Sequence, residues 1–147
     1  MKTEKSARVA LWCGRVIALA VALLCVFLYD LLSWYHCFRS LSPLAAMAIF
    51  VGFYLCAPGV FYALWSMDKL LRNILHRNVF VTENVTAIRR IRLCCGWVSA
   101  VSLAAGFFYP PLMFLFAIMA FLCLSVTVVN NVMAAAVELR EENDLTV

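Results

Sequence analysis

The chain has 147 residues, 66% of them hydrophobic and 14% charged, with a mean hydropathy of +0.95. Soluble domains sit nearer half apolar and a quarter charged, so this length holds one membrane domain, 1–147, and leaves no room for a soluble catalytic module. The net charge of +4 is scattered at the ends of apolar runs, without a basic groove interleaved with aromatics, which argues against direct nucleic-acid binding.

The first apolar run covers about 9–32, with Arg15 near its start. Lys2, Lys5 and Arg8 precede it as they would a signal peptide, but the stretch is long and Ala18-Leu19-Ala20 falls in its middle. A lipoprotein site at Cys25 is unsuited because Leu24 is bulky. The expectation is an uncleaved anchor. The second run, about 41–67, is free of charge, and Pro58-Gly59 predicts a kink in it. From Leu93 to Val137 no side chain is charged. One crossing needs about 20 apolar residues, so Pro110-Pro111 divides this stretch into two, about 93–109 and 112–137. Unbroken apolar runs do not alternate as barrel strands do, so the spans are helices. The predicted fold is all-α: an integral membrane four-helix bundle with a connecting segment at 68–92 and a tail at 138–147.

Orientation follows from the bases. Of twelve Lys and Arg, only Arg39 falls between the first and second spans or between the third and fourth. The rest lie in the N-terminus, the 68–92 segment and the tail, which predicts both termini in the cytoplasm. Trp34, Tyr35 and Tyr109 mark the outer interface, and Trp12, Trp65 and Trp97 the inner one.

Within 68–92, Leu70, Leu71, Ile74 and Leu75 have helical spacing and extend the second span. Thr82 suits an N-cap, with Glu83 favourable in the first turn. Val85, Ile88 and Ile91 then share a face, with Arg89 and Arg92 beside it. Small residues recur every four positions in two rows: Ala10, Gly14, Ala18, Ala22, and Gly96, Ala100, Ala104. Such rows let helix backbones approach closely, and each is expected at an interface. Asn130 and Asn131 are expected to hydrogen-bond another helix.

Chemistry is sparse. Six of the seven cysteines, Cys13, Cys25, Cys56, Cys94, Cys95 and Cys123, lie in or beside apolar runs, with no C-x-x-C. His36 and His76 fall on opposite sides of the membrane and cannot share a site. No G-x-S-x-G, H-E-x-x-H or phosphate loop occurs, so no enzyme, cofactor or metal centre is expected. The sequon Asn84-Val85-Thr86 is predicted cytoplasmic and unglycosylated. The tail, from Glu138 through Arg140, Glu141, Glu142, Asn143, Asp144 and Leu145 to Val147, is acidic. It could pair with Arg89, Arg90 and Arg92 as a weak latch, or dock a basic cytoplasmic partner.

Two stretches carry a family resemblance. They are Asn78-Val79-Phe80-Val81-Thr82-Glu83-Asn84 followed by Ile88-Arg89-Arg90-Ile91, and the ending Glu142-Asn143-Asp144-Leu145-Thr146-Val147. The chain resembles the bacterial family called domain of unknown function 2975, departing from it at Arg77-Asn78, where a small residue is common. The resemblance implies a four-span protein of the bacterial cytoplasmic membrane. Its members are often encoded beside a small helix-turn-helix regulator, which implies that regulator as the cytoplasmic partner. On this basis the expected function is a non-enzymatic regulatory or interaction protein. Its candidate partner-binding residues are Phe80, Glu83, Asn84, Arg89, Arg90, Glu138, Glu142, Asn143, Asp144 and Leu145. The alternative is a small transporter or export accessory subunit, disfavoured because no span has a titratable residue at its centre. Lipid is the obligatory partner, and a homo-oligomer is compatible with the sequence.

Overall fold

A computed structural model describes the backbone of residues 2–38, 42–75 and 82–145. Side chains are described for 8–35, 42–75, 82–140 and 142. The chain forms α1 (Lys2–Phe38), α2 (Pro43–Leu75), α3 (Thr82–Gly106) and α4 (Leu112–Leu145). The all-α expectation holds, but the helices overrun the apolar runs. Most of 68–92 is helix: α2 continues unbroken to Leu75, and α3 begins at Thr82.

The starts and stops have local causes. Ser42 caps α2, its Oγ accepting the Ala45 N–H at 3.2 Å, and Pro43 occupies the first helical position, where its missing N–H costs nothing. Pro110 and Pro111 stand in the same way just ahead of α4. The turn between α3 and α4 is held by Phe108 and Tyr109 N–H bonds to the Ala105 carbonyl, both 3.1 Å. Pro58 lies inside α2 and removes a ladder donor there. At that turn the Trp97 indole N–H donates to the Leu55 carbonyl at 3.0 Å, so α3 supplies a donor where α2's own ladder is weakened. Trp97 therefore serves the α2–α3 contact, at the level of Leu55 and Gly59 on α2.

The α2–α3 contact is a seam with a period of seven. A methyl group added to Gly52 would lie 3.5 Å from Ala105 Cβ, and one added to Gly59 would meet Trp97 and Val98 at 3.4 and 3.8 Å. Further along, Asn73 Nδ2 donates to Asn84 Oδ1 at 2.9 Å. Each step of seven forward on α2 answers a step of seven backward on α3, the register of an antiparallel, left-handed helix pair. Ala45 and Ser66, on the same α2 row, are buried.

On its other side α3 packs against α4. Cys123 Sγ donates to the Arg92 carbonyl at 3.6 Å, and a methyl group added to Gly96 would lie 3.8 Å from the same sulfur. The small-residue row expected on α3 is thus only partly an interface. Gly96 faces α4, but Ala100 and Ala104 are exposed. The buried small residues of α3 include Ala87, Ser99, Ser102, Ala105 and Gly106. A four-residue spacing drifts around the helix away from the seven-residue seam, so the row leaves the contact. On α1, Ala10, Gly14 and Ala18 do face α2, while Ala22 is exposed. Asn130 is buried, as expected of an amide facing a helix, but its Oδ1 has no partner among the described residues, and Asn131 is exposed.

Among the described residues α1 packs on α2 alone, and α4 on α3 alone. The arrangement is an open series in chain order. A bundle closed on itself would also bring α1 onto α4, a contact that is absent among the described residues. Tyr54 Oη clips α1 by donating to the Cys25 carbonyl at 2.7 Å, and Arg15 of α1 lies 3.9 Å from Asp68, which also holds Arg72 at 2.8 Å. Tyr35 and Tyr109, both expected at one interface, do meet, with hydroxyls 3.5 Å apart.

Among the described residues, three helices are long and apolar enough to cross a membrane: Arg8–Tyr35, Pro43–Leu75 and Leu112–Arg140. None of the most apolar stretch of α4 is buried within the chain, and Trp12, Phe27, Phe114, Phe121 and Leu124 stand exposed. Water tolerates no contiguous apolar surface of this extent; lipid does. The exception is α3. Its charges reach Arg92 and it ends at Gly106, so its apolar part runs about 21 Å, against a hydrocarbon core of about 30 Å. It nevertheless carries nine buried residues, because α2 and α4 flank it.

Candidate functional site

The charged ends of α2, α3 and α4 lie together, since each helix runs antiparallel to the one before it. This end carries most of the residues that the sequence singled out, and the structure sorts them into three groups.

Asn84 belongs to the interior. It is 0% exposed and accepts the Asn73 amide, bracketing α2 to α3 at the last turn of their seam. Asn84 is fully enclosed and its amide oxygen is already taken by Asn73, so Asn84 is removed from the partner-binding set. The same burial closes the sequon to any modifying enzyme while the chain is folded. Asn73 does not stand out by its own type. The signal that points to it is its place seven residues beyond Ser66 on a row of small residues.

Glu83, Arg89 and Arg90 remain at the surface but do different things. Glu83 is exposed and pairs with Lys69 across the α2–α3 contact at 3.6 Å. Exposed pairs of this kind contribute little to stability. Arg89 is exposed. Arg90 is half-buried and lines a polar pocket of about 220 Å³ between α2 and α3, with Ser66, Lys69, Thr82, Glu83 and Thr86. Arg89, Arg90 and Arg92 form no ion pair among the described residues. The latch expected between them and the acidic tail is therefore not formed among those residues. The contact of Cys123 with Arg92 and Gly96 sets the reason: Glu138 lies roughly 15 Å or more further along the axis than these arginines, at about 1.5 Å per residue.

The tail is the third group. Helix α4 runs without a break to Leu145, so Glu138, Glu142, Asn143, Asp144 and Leu145 all lie on its helical backbone. Glu138 and Glu142 are exposed, while the side chains of Asn143, Asp144 and Leu145 lie outside the described residues. Phe80 is outside them too. A second, apolar groove of about 290 Å³ lies between α1 and α2, lined by Ala10, Gly14, Ala18, Phe61 and Leu64, with Arg15 and Asp68 also in its wall. A methyl group on Gly14 would meet nothing within 4 Å, so the α1 row approaches α2 without closing on it. Among the described residues no three His, Cys, Asp or Glu side chains converge as a metal site would require.

No curated protein and no solved structure matches the chain. A family model does: the one described as "Protein of unknown function (DUF2975)" matches residues 9–147, and with that match over nearly the whole length the chain belongs to the DUF2975 family.

Proposed function

We propose that this protein is a non-enzymatic, four-span protein of the bacterial cytoplasmic membrane that docks a small helix-turn-helix regulator through the tail of α4. The observation that carries the reading is the unbroken continuation of α4 past its apolar stretch. It sets exposed Glu138 and Glu142 on a helix that projects beyond the arginines of α3. An acidic helical ridge beside a basic membrane face suits a partner that carries its own basic patch. DNA-binding regulators carry such patches for phosphate contacts.

The topology is part of the proposal. If α2 and α4 span, α3 lies antiparallel between them and crosses as well, with its short apolar part sheltered by its neighbours and Arg90 and Arg92 reaching outward to the interface. With the charged ends inside, Ser42 faces the outside and Glu138 the cytoplasm. In a background without native cysteines, Ser42→Cys is expected to react with an impermeant thiol reagent in intact cells. Glu138→Cys is expected to react only after permeabilisation. The reverse pattern inverts the topology.

Deleting 142–147 is expected to leave membrane accumulation unchanged and to abolish capture of the regulator in crosslinking and pull-down from membranes. Equal capture by both forms would reduce the tail to a solvated helix end. Failure of the truncated form to accumulate would assign the tail to assembly instead.

A further inference from the structure

The polar pocket between α2 and α3 has features that neither helix packing nor partner docking explains. Ser66 is 3% exposed, lines the pocket, and its Oγ has no hydrogen-bond partner among the described residues. The seven-residue seam sets Ile91 opposite Ser66, and an aliphatic side chain offers that hydroxyl nothing. Buried hydroxyls are rarely left unmade, because the loss of water is then uncompensated. No described residue supplies that partner, and the pocket opens beside it.

The charge balance says which sign that group has. Lys69 and Arg90 line the pocket against one carboxylate, Glu83, and Arg90 has no ion pair among the described residues. Thr82 and Glu83 of the first turn of α3 line the pocket, so the positive end of a 25-residue helix lies beside it. Thr82 and Thr86 add hydroxyls, although Thr86 Oγ1 donates to the Thr82 carbonyl at 3.0 Å. An anion with several acceptor oxygens fits this set. At about 220 Å³ the pocket is smaller than a cleft for a drug-sized molecule, and suits a phosphate ester with its first carbons.

Depth says where the anion comes from. The apolar run of α2 ends at Met67, one residue after Ser66 and two before Lys69, and the exposed Trp65 stands at the same level. This is the height at which hydrocarbon gives way to head groups, where an indole ring and a lysine commonly sit. We propose that the α2–α3 pocket binds the phosphate of an anionic phospholipid head group, with Arg90 and Lys69 as the charged contacts and Ser66 as the buried donor.

The test uses the full-length protein, purified in detergent and titrated with phosphatidylglycerol, phosphatidylcholine or inorganic phosphate. Thermal stability and bound lipid by native mass spectrometry are the readouts. Phosphatidylglycerol is expected to be retained and to raise the melting temperature, phosphatidylcholine much less. Arg90→Gln is expected to weaken phosphatidylglycerol binding by roughly tenfold or more, the scale of one charge-assisted hydrogen bond. Ser66→Ala keeps a small side chain in the seam and is expected to weaken binding several-fold without lowering the melting temperature of the lipid-free protein. Arg89→Gln makes the same charge change outside the pocket and is expected to bind as the parent does. Where Arg90→Gln does not fold, Lys69→Gln at an exposed position replaces it. Equal binding of the two lipids, or equal losses in Arg89→Gln and Arg90→Gln, would overturn the proposal. Stabilisation by inorganic phosphate alone, with no preference between lipids, would overturn the lipid assignment in favour of a free-anion site.

Discussion

Replacing Ala105 by leucine is expected to destabilise the protein by about 1–3 kcal/mol, whereas Ala100→Leu is expected to be close to neutral. Ala105 is buried and its Cβ faces the bare backbone of Gly52 on α2, with only 3.5 Å available to a methyl group there. Three further carbons have no room at that height, so the two backbones must part. Separation at one step of the seam weakens the others, because Gly59 against Val98 and Asn73 against Asn84 share its register. Ala100 is exposed, so its leucine would point away from both neighbouring helices. Unfolding in mixed detergent micelles measures both. Equal losses would mean that α3 packs on a different face from the one described.

The second large effect is expected at Asn84. Asn84→Leu should cost about 1–3 kcal/mol, because it strands the Asn73 amide donor at a closed position and leaves no water to replace the lost acceptor. The double variant Asn73→Leu with Asn84→Leu removes both halves of the bond and is expected to recover part of that loss. A double-mutant cycle isolates the coupling. Additive losses in the cycle would show that the two amides do not act as a pair. Glu83→Gln, one residue away at the exposed pair with Lys69, is expected to change stability by less than about 1 kcal/mol. The contrast between neighbours separates the interior bracket from the surface that faces a partner.

Composition and run lengths by themselves determined that the chain is helical and belongs in lipid. Three helices remain long, apolar and nearly unburied in the folded chain, and no rearrangement of side chains could make that surface suit water. The hairpin turn at Pro110-Pro111 was equally legible, since two successive residues without an N–H cannot continue a helix but can begin one. Glu83 in the first turn of α3 followed from the dipole.

Which face of each helix meets a neighbour was decided only in the tertiary structure. In lipid, hydropathy does not separate the two faces, because lipid tails and helix partners are equally apolar. The distinction rests on where backbones can approach, and that depends on two helices together. The row Gly96, Ala100, Ala104 has the right residues at a spacing that turns away from α2, whereas Gly52, Gly59, Ser66 and Asn73 keep pace with α3 along its length. The seven-residue period of that second row stands in the sequence, but it becomes a contact only when Ala105, Val98 and Asn84 answer it. The same holds for charge. Opposite signs at the ends of α3 and α4 invited a latch, and among the described residues the axial offset set by Cys123 against Arg92 carries Glu138 and Glu142 past the arginines.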